Sequence, residues 1–375
     1  MSTFNVYPVY NITPVKAEGC KLWDDKGVEY LDLYGGHAVI SIGHSHPHYV
    51  KAIQNQVAQL GFYSNSVKMP LQEELATKLG ELTGLPDYQL FMTSSGAESN
   101  ENALKLASFY KGRKKVIAFS KGFHGRTSAA VAVTDNSSIQ APINFADHVV
   151  KLPFNDVEAV KAAIDGKTCA VIMEGIQGVG GVNVATEEFQ KAIREACDAH
   201  GAVYIHDSVQ CGYGRSGDFF SFQDTDIKPD IISMAKGMGN GFPVGGILVS
   251  PKFEARYGML GTTFGGNHLA CAAALAVLDV IKDENLVLKA KELGEYTLAK
   301  LKPLVENGKI KEVRGRGLMI GIELENPIKE IREKLIFEDN IFTGASGANT
   351  IRLLPSLNVK KEELDRFLDA LMKYL

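Results

Sequence analysis

The chain contains 375 residues, a length that predicts either two domains or one large domain. Hydrophobic residues make up 45% of it and charged residues 22%, which is typical of a folded globular protein and argues against disorder. With 40 basic and 44 acidic side chains the net charge is −4, so the composition does not favour nucleic-acid binding. The longest nearly apolar run, residues 269–280, is too short to span a bilayer.

The N-terminal sequence and the cysteines indicate the cellular compartment. No basic segment followed by an apolar stretch occurs at the N-terminus, so a secretory signal is not expected. The five cysteines are odd in number, scattered, and mostly within apolar runs. This usage is typical of reduced thiols, so we predict a cytoplasmic protein that binds no membrane.

Residues 18–34 predict a β-hairpin, and from about residue 50 helices alternate with short apolar strands. These strands are Gln89–Thr93, Val116–Phe119, Ala170–Met173, Ala202–Ile205, Ile231–Met234 and Gly246–Val249. Unbroken apolar strands separated by helices predict an α/β fold in which helices cover both faces of a mostly parallel sheet. After residue 267 the pattern changes to long helices, further strands and a last helix from Lys360. We therefore predict a large domain over residues 46–265 and a smaller α+β domain built from residues 1–45 and 266–375.

The residues that follow the predicted strands are candidates for a binding site, because ligands bind beyond the carboxyl ends of parallel strands. Residues 94–100 follow the first strand and open a helix, whose free N–H groups could hold a phosphate. Alternatively, Ser94 or Ser95 is only a helix N-cap. After the second strand, Phe123, His124 and Arg126 share one loop.

Two charged residues complete this set. Asp207 ends an apolar strand, where an unpaired carboxylate would be costly. Lys236 follows another strand and enters a glycine-rich loop, a combination that Lys121 lacks. A phosphate cradle, an aromatic side chain, a buried aspartate and a lysine are the groups that pyridoxal phosphate requires. The lysine forms the Schiff base, and the aspartate keeps the ring nitrogen protonated.

Three other sequence patterns are associated with different functions, and each is weaker evidence than the set above. Residues 212–217 match G-x-G-x-x-G, but no clean helix follows, so a dinucleotide site is not expected. A proline separates the histidines at 46 and 48 and excludes helical spacing, so no metal site is predicted from His44, His46 and His48. The single Arg-Gly-Arg-Gly of residues 314–317 predicts a structural turn rather than RNA binding.

Motifs along nearly the whole chain resemble the class III (fold type I) pyridoxal-phosphate aminotransferases, most closely those of the acetylornithine type. They occur in the family's order from about residue 7 to the C-terminus, and together they are very specific. They are Gly43–Pro47, Ser95–Glu98, Phe123–Thr127, Glu174–Gly178, Asp207–Gln210, Ala235–Gly237, Gly261–Asn267 and Val313–Gly317.

The resemblance implies roles for individual residues. Lys236 would be the catalytic Schiff-base lysine, and Asp207 would pair with the ring nitrogen. The implied cofactor-binding residues are Ser95, Gly96, Ala97, Phe123, Asp207, Val209, Gln210, Lys236 and Thr263, the last contributed across a homodimer with shared active sites. The implied substrate-binding residues are Arg126, Thr262 and Arg352, the last of which would bind a carboxylate.

The reaction implied is transfer of the δ-amino group of N-acetyl- or N-succinyl-L-ornithine to 2-oxoglutarate, in arginine biosynthesis. The products would be an N-acylglutamate 5-semialdehyde and glutamate. The alternatives are another ω-amine donor (ornithine, 4-aminobutyrate, succinyldiaminopimelate or an acyl-lysine) and a cofactor-binding scaffold without turnover. The stretch Gly35–Val39 lacks the tyrosine with which ornithine aminotransferases of this family hold the free α-amino end, which favours an acylated donor.

The chain departs from the family pattern at Gly175, Val179, Ser208 and His268. In the family, a glutamate at position 179 can pair with the carboxylate-binding arginine. Valine cannot accept a hydrogen bond, so we predict that Arg352 stays available for a carboxylate in both half-reactions.

Overall fold

The computed structural model describes residues 1–375. The chain begins with the strands β1 (Pro14–Glu18), β2 (Lys21–Asp24) and β3 (Glu29–Asp32). The pairing of β2 with β3 is antiparallel, which confirms the predicted hairpin. A single helical turn, α1 (Gly35–Ala38), follows, and all four of its residues have positive φ.

The central sheet has seven strands. The strands of this part of the chain are β4 (Gln89–Thr93), β5 (Lys115–Phe119), β6 (Val149–Leu152), β7 (Thr168–Glu174), β8 (Ile176–Gln177), β9 (Asn183–Val184), β10 (Val203–Asp207), β11 (Ile231–Met234) and β12 (Gly245–Val249). The sheet order is β4-β12-β11-β10-β7-β5-β6, while β8 and β9 pair separately. All pairs in it are parallel except those made by β12. Strands β7, β10, β11 and β12 are buried along their whole length, as expected for strands covered on both faces.

The helices that surround these sheets are α2 (Pro47–Gln59), α3 (Pro70–Thr83), α4 (Gly96–Lys111), α5 (Ser128–Ala132), α6 (Val157–Ala163), α7 (Glu187–His200), α8 (His268–Asp283), α9 (Leu286–Glu306), α10 (Lys329–Phe337) and α11 (Lys361–Met372). Local sequence explains many of their ends. The side chains of Ser95, Asp156 and Thr186 accept hydrogen bonds from the first turns of α4, α6 and α7. Glycines end α3, α4 and α7 in the left-handed conformation. None of the helices is both long and apolar enough to cross a membrane.

The C-terminal part contains β13 (Glu312–Arg316), β14 (Met319–Glu323), β15 (Ile341–Phe342), β16 (Gly344–Ser346) and β17 (Thr350–Leu353). Four of these form an antiparallel sheet in the order β13-β14-β17-β16. The turn predicted for residues 314–317 is wrong for residues 314–316, which lie in β13. The chain reverses at Gly317, whose φ of +53° suits glycine.

Both ends of the chain meet in one region, because β15 joins the N-terminal sheet by pairing in parallel with β3. The predicted α/β class, with a mostly parallel sheet covered by helices, is confirmed. The glycine-rich segment 212–217 is a turn region whose fully buried Arg215 donates to the carbonyl groups of Leu318 and Pro355. This segment therefore ties the central part of the chain to its C-terminal part.

Candidate active site

A cleft of about 400 Å³ lies where the carboxyl ends of β10 and β11 approach the N-terminus of α4. This is the edge at which parallel α/β sheets bind ligands. The sequence-predicted residues that line it are Ser95, Gly96, Ala97, Phe123, Arg126, Asp207, Val209, Gln210 and Lys236. Residues scattered over about 140 positions therefore share one cavity.

The first turn of α4 offers free hydrogen-bond donors to this cleft. Ser95 caps the helix, because its Oγ accepts from the N–H of Glu98 at 3.2 Å. The N–H groups of Gly96 and Ala97 donate to no protein acceptor. A Cβ atom at Gly96 would lie 2.7 Å from Val209 Cγ1, so the close approach of α4 to Val209 requires glycine. The N-cap interpretation is therefore correct for Ser95, and it leaves two donors for a phosphate.

Asp207 is buried at the end of β10 and is surrounded by hydrogen-bond donors. Its Oδ2 accepts from Asn100 Nδ2 and lies next to His124 Nδ1, both at 2.7 Å. Its Oδ1 accepts from the N–H of Val209 at 3.0 Å. Asn100 also donates to the carbonyl of His124 at 2.7 Å, which fixes the two residues relative to one another.

These contacts decide the ionisation of Asp207. Burial alone would raise the pKa of its carboxyl, but the hydrogen bond and charge of His124 hold that pKa below its usual value. Burial alone would lower the pKa of His124, and Asp207 raises it instead. Asp207 is therefore a carboxylate at neutral pH. Nearby Glu174 has a pKa raised to about 7, chiefly by burial, and it accepts from the N–H groups of Phe123 and Gly178.

Lys236 lies at the other side of the same cleft. Its φ of +47° is unusual for a residue with a side chain and is held by the glycine-rich loop that follows β11. The pKa of its amine is lowered, mainly by burial, which favours the neutral nucleophilic form. The rival Lys121 is exposed and does not line this cleft, so only Lys236 reaches the cavity that contains Asp207.

The unpaired polar atoms of the cleft fit pyridoxal phosphate. The buried Oε1 of Gln210 has no hydrogen-bond partner, while its Nε2 donates to the carbonyl of His37 at 3.0 Å. A ring hydroxyl group would satisfy the Oε1 atom, and a phosphate would satisfy the free donors of α4. Asp207 supplies the carboxylate that a protonated ring nitrogen needs. The residues present therefore match the cofactor group by group.

Arg352 projects from β17 near this cleft but does not line it. Its side chain is buried, its Nε donates to the carbonyl of Ala345 at 2.8 Å, and one terminal nitrogen has no partner. Val179 lines the cleft and is 41% exposed. The cleft therefore has an apolar side chain at the position where the family has a glutamate. Arg126 also lines the cleft, is exposed, and pairs with no carboxylate.

Two predicted site residues and the three clustered histidines lie outside the cleft. Thr262 and Thr263 do not line the cleft of their own chain; Thr262 Oγ1 accepts from the N–H of Gly265, and Thr263 is exposed. The three clustered histidines each pair with a different carboxylate: His44 with Asp32, His46 with Glu284 and His48 with Asp279. No group of three potential metal ligands occurs in the structure.

Tyr34 and His37, at a left-handed turn beside Arg352, are two residues that were not predicted from the sequence. Asp32 accepts from the N–H groups of Tyr34 and Gly35, which stabilises the turn α1. The Tyr34 hydroxyl contacts the imidazole of His37, whose pKa is lowered by burial and by the charge of Arg352. The stretch Gly35–Val39 holds no tyrosine, but Tyr34 stands immediately before it.

Asn100, His124 and Glu174 were also missed as partners of the site. All three line the cleft, and their side chains contact Asp207 or the Phe123 loop. His124 and Glu174 belong to motifs that carried the resemblance, so motif membership was the available signal. Their hydrogen-bond partners, however, are distant in sequence.

The cleft contains a lysine, a carboxylate held by an imidazole, and a helix N-terminus, an arrangement suited to pyridoxal-phosphate chemistry. The family model "Aminotransferase class-III" matches residues 4–375, and the chain belongs to this family of pyridoxal-phosphate-dependent enzymes. The predicted aminotransferase activity and cofactor are therefore confirmed.

Relatives and solved structures agree with this assignment. The acetylornithine aminotransferase of Methanosarcina acetivorans is 40% identical over 358 residues, covering 95% of this chain and 90% of that protein. The acetylornithine aminotransferase of Methanocaldococcus jannaschii is 40% identical over 376 residues, covering 98% and 94%. The crystal structure of ornithine aminotransferase from Toxoplasma gondii ME49 is similar with a TM-score of 0.93 at 28% identity, covering 99% of this chain and 92% of that one.

Proposed function

We propose that this aminotransferase moves the δ-amino group of an N-acylated L-ornithine, acetyl or succinyl, to 2-oxoglutarate. The products are an N-acylglutamate 5-semialdehyde and glutamate, and the pathway is arginine biosynthesis. One observation carries the proposal: Lys236 and the ionised Asp207 share a cleft that is also lined by Arg126, which has no carboxylate partner. Full-length similarity to proteins named acetylornithine aminotransferases supports the choice of donor.

The bound cofactor supplies an electron sink for the carbon that carries the reacting amine. Lys236 would hold the cofactor covalently, and its amine would serve as the group that accepts and returns the proton of the substrate carbon. A lowered pKa suits this role, because a neutral amine can accept the proton. Asp207 holds a proton on the ring nitrogen, and His124 with Asn100 orients the Asp207 carboxylate.

Other residues bind and orient. The free N–H groups of Gly96 and Ala97, next to the Ser95 cap, bind the phosphate at the positive end of α4. Phe123 and Val209, which line the cleft, would hold the ring, and the unpaired Oε1 of Gln210 would accept from the ring hydroxyl.

Substrate carboxylates are bound by arginines. One N–H donor of Arg352 has no acceptor, and the Val179 side chain cannot accept a hydrogen bond from it. Arg126, which is exposed and lines the cleft, contacts the acylated donor. Thr262, which lies outside the cleft of its own chain, is a second proposed donor contact. Arg352 is therefore available for the donor in one half-reaction and for 2-oxoglutarate in the other.

A homodimer with shared active sites completes the proposal. Thr263 is exposed and outside the cleft of its own chain, on a loop that also exposes the aromatic ring of Phe264. We propose that a second copy covers this loop and that Thr263 of the partner subunit contacts the phosphate. Sedimentation would show a dimer, and Thr263→Ala would weaken phosphate retention. Residues 46–265 would form the cofactor-binding domain, residues 1–45 and 266–375 the small domain, and the protein would be cytoplasmic.

An amine-donor screen with 2-oxoglutarate tests the function. We expect ping-pong kinetics, with higher kcat/KM for acylornithines than for ornithine, 4-aminobutyrate, acyl-lysine or succinyldiaminopimelate. Preference for one of these other donors would replace the substrate assignment while leaving the reaction class intact. Cofactor binding without turnover of any donor would support a scaffold role instead.

A further inference from the structure

The loop that carries Lys236 has an unfavourable backbone conformation. Lys236 and Asn240 have φ of +47° and +46°, in the left-handed region that costs energy for a residue with a side chain. Inside the loop, the N–H of Met238 donates to the carbonyl of Ala235 and the N–H of Gly239 to that of Lys236, both at 3.0 Å. Tight turns of this kind normally have negative φ. Contacts from outside the loop must therefore hold the lysine in place.

The side chain of Asn240 supplies three of these contacts. Its Oδ1 accepts from the N–H groups of Ser41 at 2.8 Å and Ile42 at 3.1 Å. Its Nδ2 donates to the carbonyl of Gly43 at 2.9 Å. Asn240 is buried, so loss of the amide would leave these backbone groups without partners and away from water. The loop is thus joined to a segment nearly 200 positions earlier in the chain.

Two hydroxyl groups hold carbonyl groups of the same loop. The Oγ of Ser41 donates to the carbonyl of Gly237, the residue that directly follows Lys236, at 2.7 Å. The hydroxyl of Tyr49, on α2, donates to the carbonyl of Gly239 at 2.8 Å. A Cβ atom at Gly237 would lie 3.3 Å from Ser41 Cβ, so the two segments pack closely. Residues 41–49 therefore fix the peptide groups that follow the lysine.

The segment that holds the loop is itself anchored. The carbonyl of Ser41 accepts from the N–H of Leu357 at 2.7 Å, shortly after β17. The backbone of His44 exchanges two hydrogen bonds with that of Gly19, at 2.9 and 3.0 Å. Ser41 is buried. The segment is therefore a fixed support on which the lysine loop is mounted.

Resting on the proposed role of Lys236, we propose that Asn240, Ser41 and Tyr49 are positioning residues of the reaction. None of the three lines the cleft, so they act through the backbone of the loop. They hold Lys236 in its left-handed conformation, which keeps its amine in the cleft that contains Asp207. A group that transfers a proton must stay within hydrogen-bond reach of that proton, and a displacement of about 1 Å can cost about 100-fold in rate.

Single-turnover reaction of the holoenzyme with glutamate tests the proposal. Cofactor absorbance gives the maximal rate constant, the half-saturating glutamate concentration and the amount of cofactor retained. Asn240→Ala removes three of the hydrogen bonds, whereas Ser41→Ala and Tyr49→Phe remove one each. Hydrogen exchange of residues 236–242 reports the mobility of the loop independently of turnover.

Asn155→Ala is the matched control. Asn155 also has a left-handed backbone, with φ of +63°. Its side chain likewise joins two backbone groups, donating to the carbonyl of Val184 at 2.9 Å and accepting from the N–H of Thr186 at 3.0 Å. It does not line the cleft and contacts no part of the Lys236 loop. This variant therefore measures the cost of removing a left-handed asparagine as such.

We expect Asn240→Ala to lower the maximal rate constant about 10- to 100-fold. Ser41→Ala and Tyr49→Phe should lower it about 3- to 10-fold, as expected for one hydrogen bond. Glutamate half-saturation and cofactor retention should stay within about 3-fold of the wild type, because the cleft walls that bind them are unchanged. Exchange of residues 236–242 should become faster in the same order, and Asn155→Ala should match the wild type in every measurement.

Normal rate constants in Ser41→Ala and Tyr49→Phe, with only a lower stability to denaturant, would overturn the positioning role alone. These two variants decide the question even where Asn240→Ala fails to fold, since each leaves the amide contacts in place. An equal loss of rate in Asn155→Ala would also overturn it. If borohydride fixes the cofactor on a lysine other than Lys236, or glutamate does not react with the wild type, the proposed function is overturned with it.

Discussion

Two charged regions flank the cleft, and they differ in how many of their polar atoms have hydrogen-bond partners. Around Asp207, both carboxylate oxygens accept hydrogen bonds, from Asn100, His124 and the Val209 backbone. Around Arg352, a buried terminal N–H donor has no acceptor, and the guanidinium forms no ion pair. The satisfied region holds one group in one protonation state, as a resident cofactor requires. In the proposed function, the unsatisfied region binds the carboxylate of a substrate that enters and leaves.

Lys236→Ala gives the largest expected effect in the satisfied region. Loss of the covalent attachment and of the proton-transferring amine should lower turnover by about 10⁴-fold or more. Borohydride treatment followed by peptide mapping should place the cofactor adduct on Lys236 in the wild type. Lys121→Ala is the matched control and should keep both the adduct and the activity. An adduct on another lysine would contradict the assignment.

Asp207→Ala should leave a bound but poorly activated cofactor. Loss of a charge-assisted partner in a buried site should cost about 2–4 kcal/mol of transition-state stabilisation. Single-turnover rates with the amine donor measure this loss, and cofactor absorbance measures retention. Asp207→Asn, which keeps the size but not the charge, should be slowed similarly. Near-normal single-turnover rates in either variant would remove Asp207 from this role.

His206, beside Asp207, predicts a pH dependence of stability. It is fully buried, and burial lowers the pKa of its imidazole to about 4 from an ordinary value near 6.5. Its neutral form therefore favours the folded state above pH 6.5, and this contribution is lost as the pH falls towards 4. The expected loss is up to about 3 kcal/mol.

Denaturant unfolding at several pH values measures that loss. His206→Asn should flatten the dependence between pH 6.5 and 4, while the partly exposed His148→Asn should not. An equally steep dependence in His206→Asn would assign it to other groups.

Arg352→Ala tests the unsatisfied region. Loss of the carboxylate contact should cost about 1.5–3 kcal/mol, or roughly 10- to 150-fold in specificity for 2-oxoglutarate. Stopped-flow measurement of the half-reaction with 2-oxoglutarate gives this value, and Arg352→Lys should recover only part of it. Normal reaction of Arg352→Ala would move the carboxylate site elsewhere, with Arg126 as the next candidate.

Val179→Glu should have the smallest effect. A carboxylate here would compete for Arg352 and weaken the donor half-reaction about 3- to 10-fold, a cost typical of a partly exposed ion pair. Val179→Gln has the same size without the charge and should weaken the donor less. Equal effects of the two substitutions on donor KM would show that bulk, and not charge, governs this position.

Much of the site could be predicted from sequence because its residues follow strands. The apolar runs before Asp207 and Lys236 identify buried strands, and parallel strands bring their carboxyl ends to one edge. The sequence also predicted that residues 94–100 open a helix, which begins at Gly96 in the structure. It did not give the strand Glu312–Arg316, because that segment has no apolar alternation and is stabilised by pairing with β14.

The sequence by itself determined the α/β class and the order of the main strands, since both depend on short-range patterns, and the family resemblance of its motifs supplied the proposed cofactor-binding residues. Only the tertiary structure decided which groups have partners. His124 and Asp207 are 83 positions apart, and no local sequence pattern predicts their hydrogen bond. Likewise, the resemblance implied a carboxylate-binding role for Arg352, but only the fold shows that one of its buried terminal nitrogens has no acceptor. Partner choice among charges depends on contacts distant in sequence, which is why it required the fold.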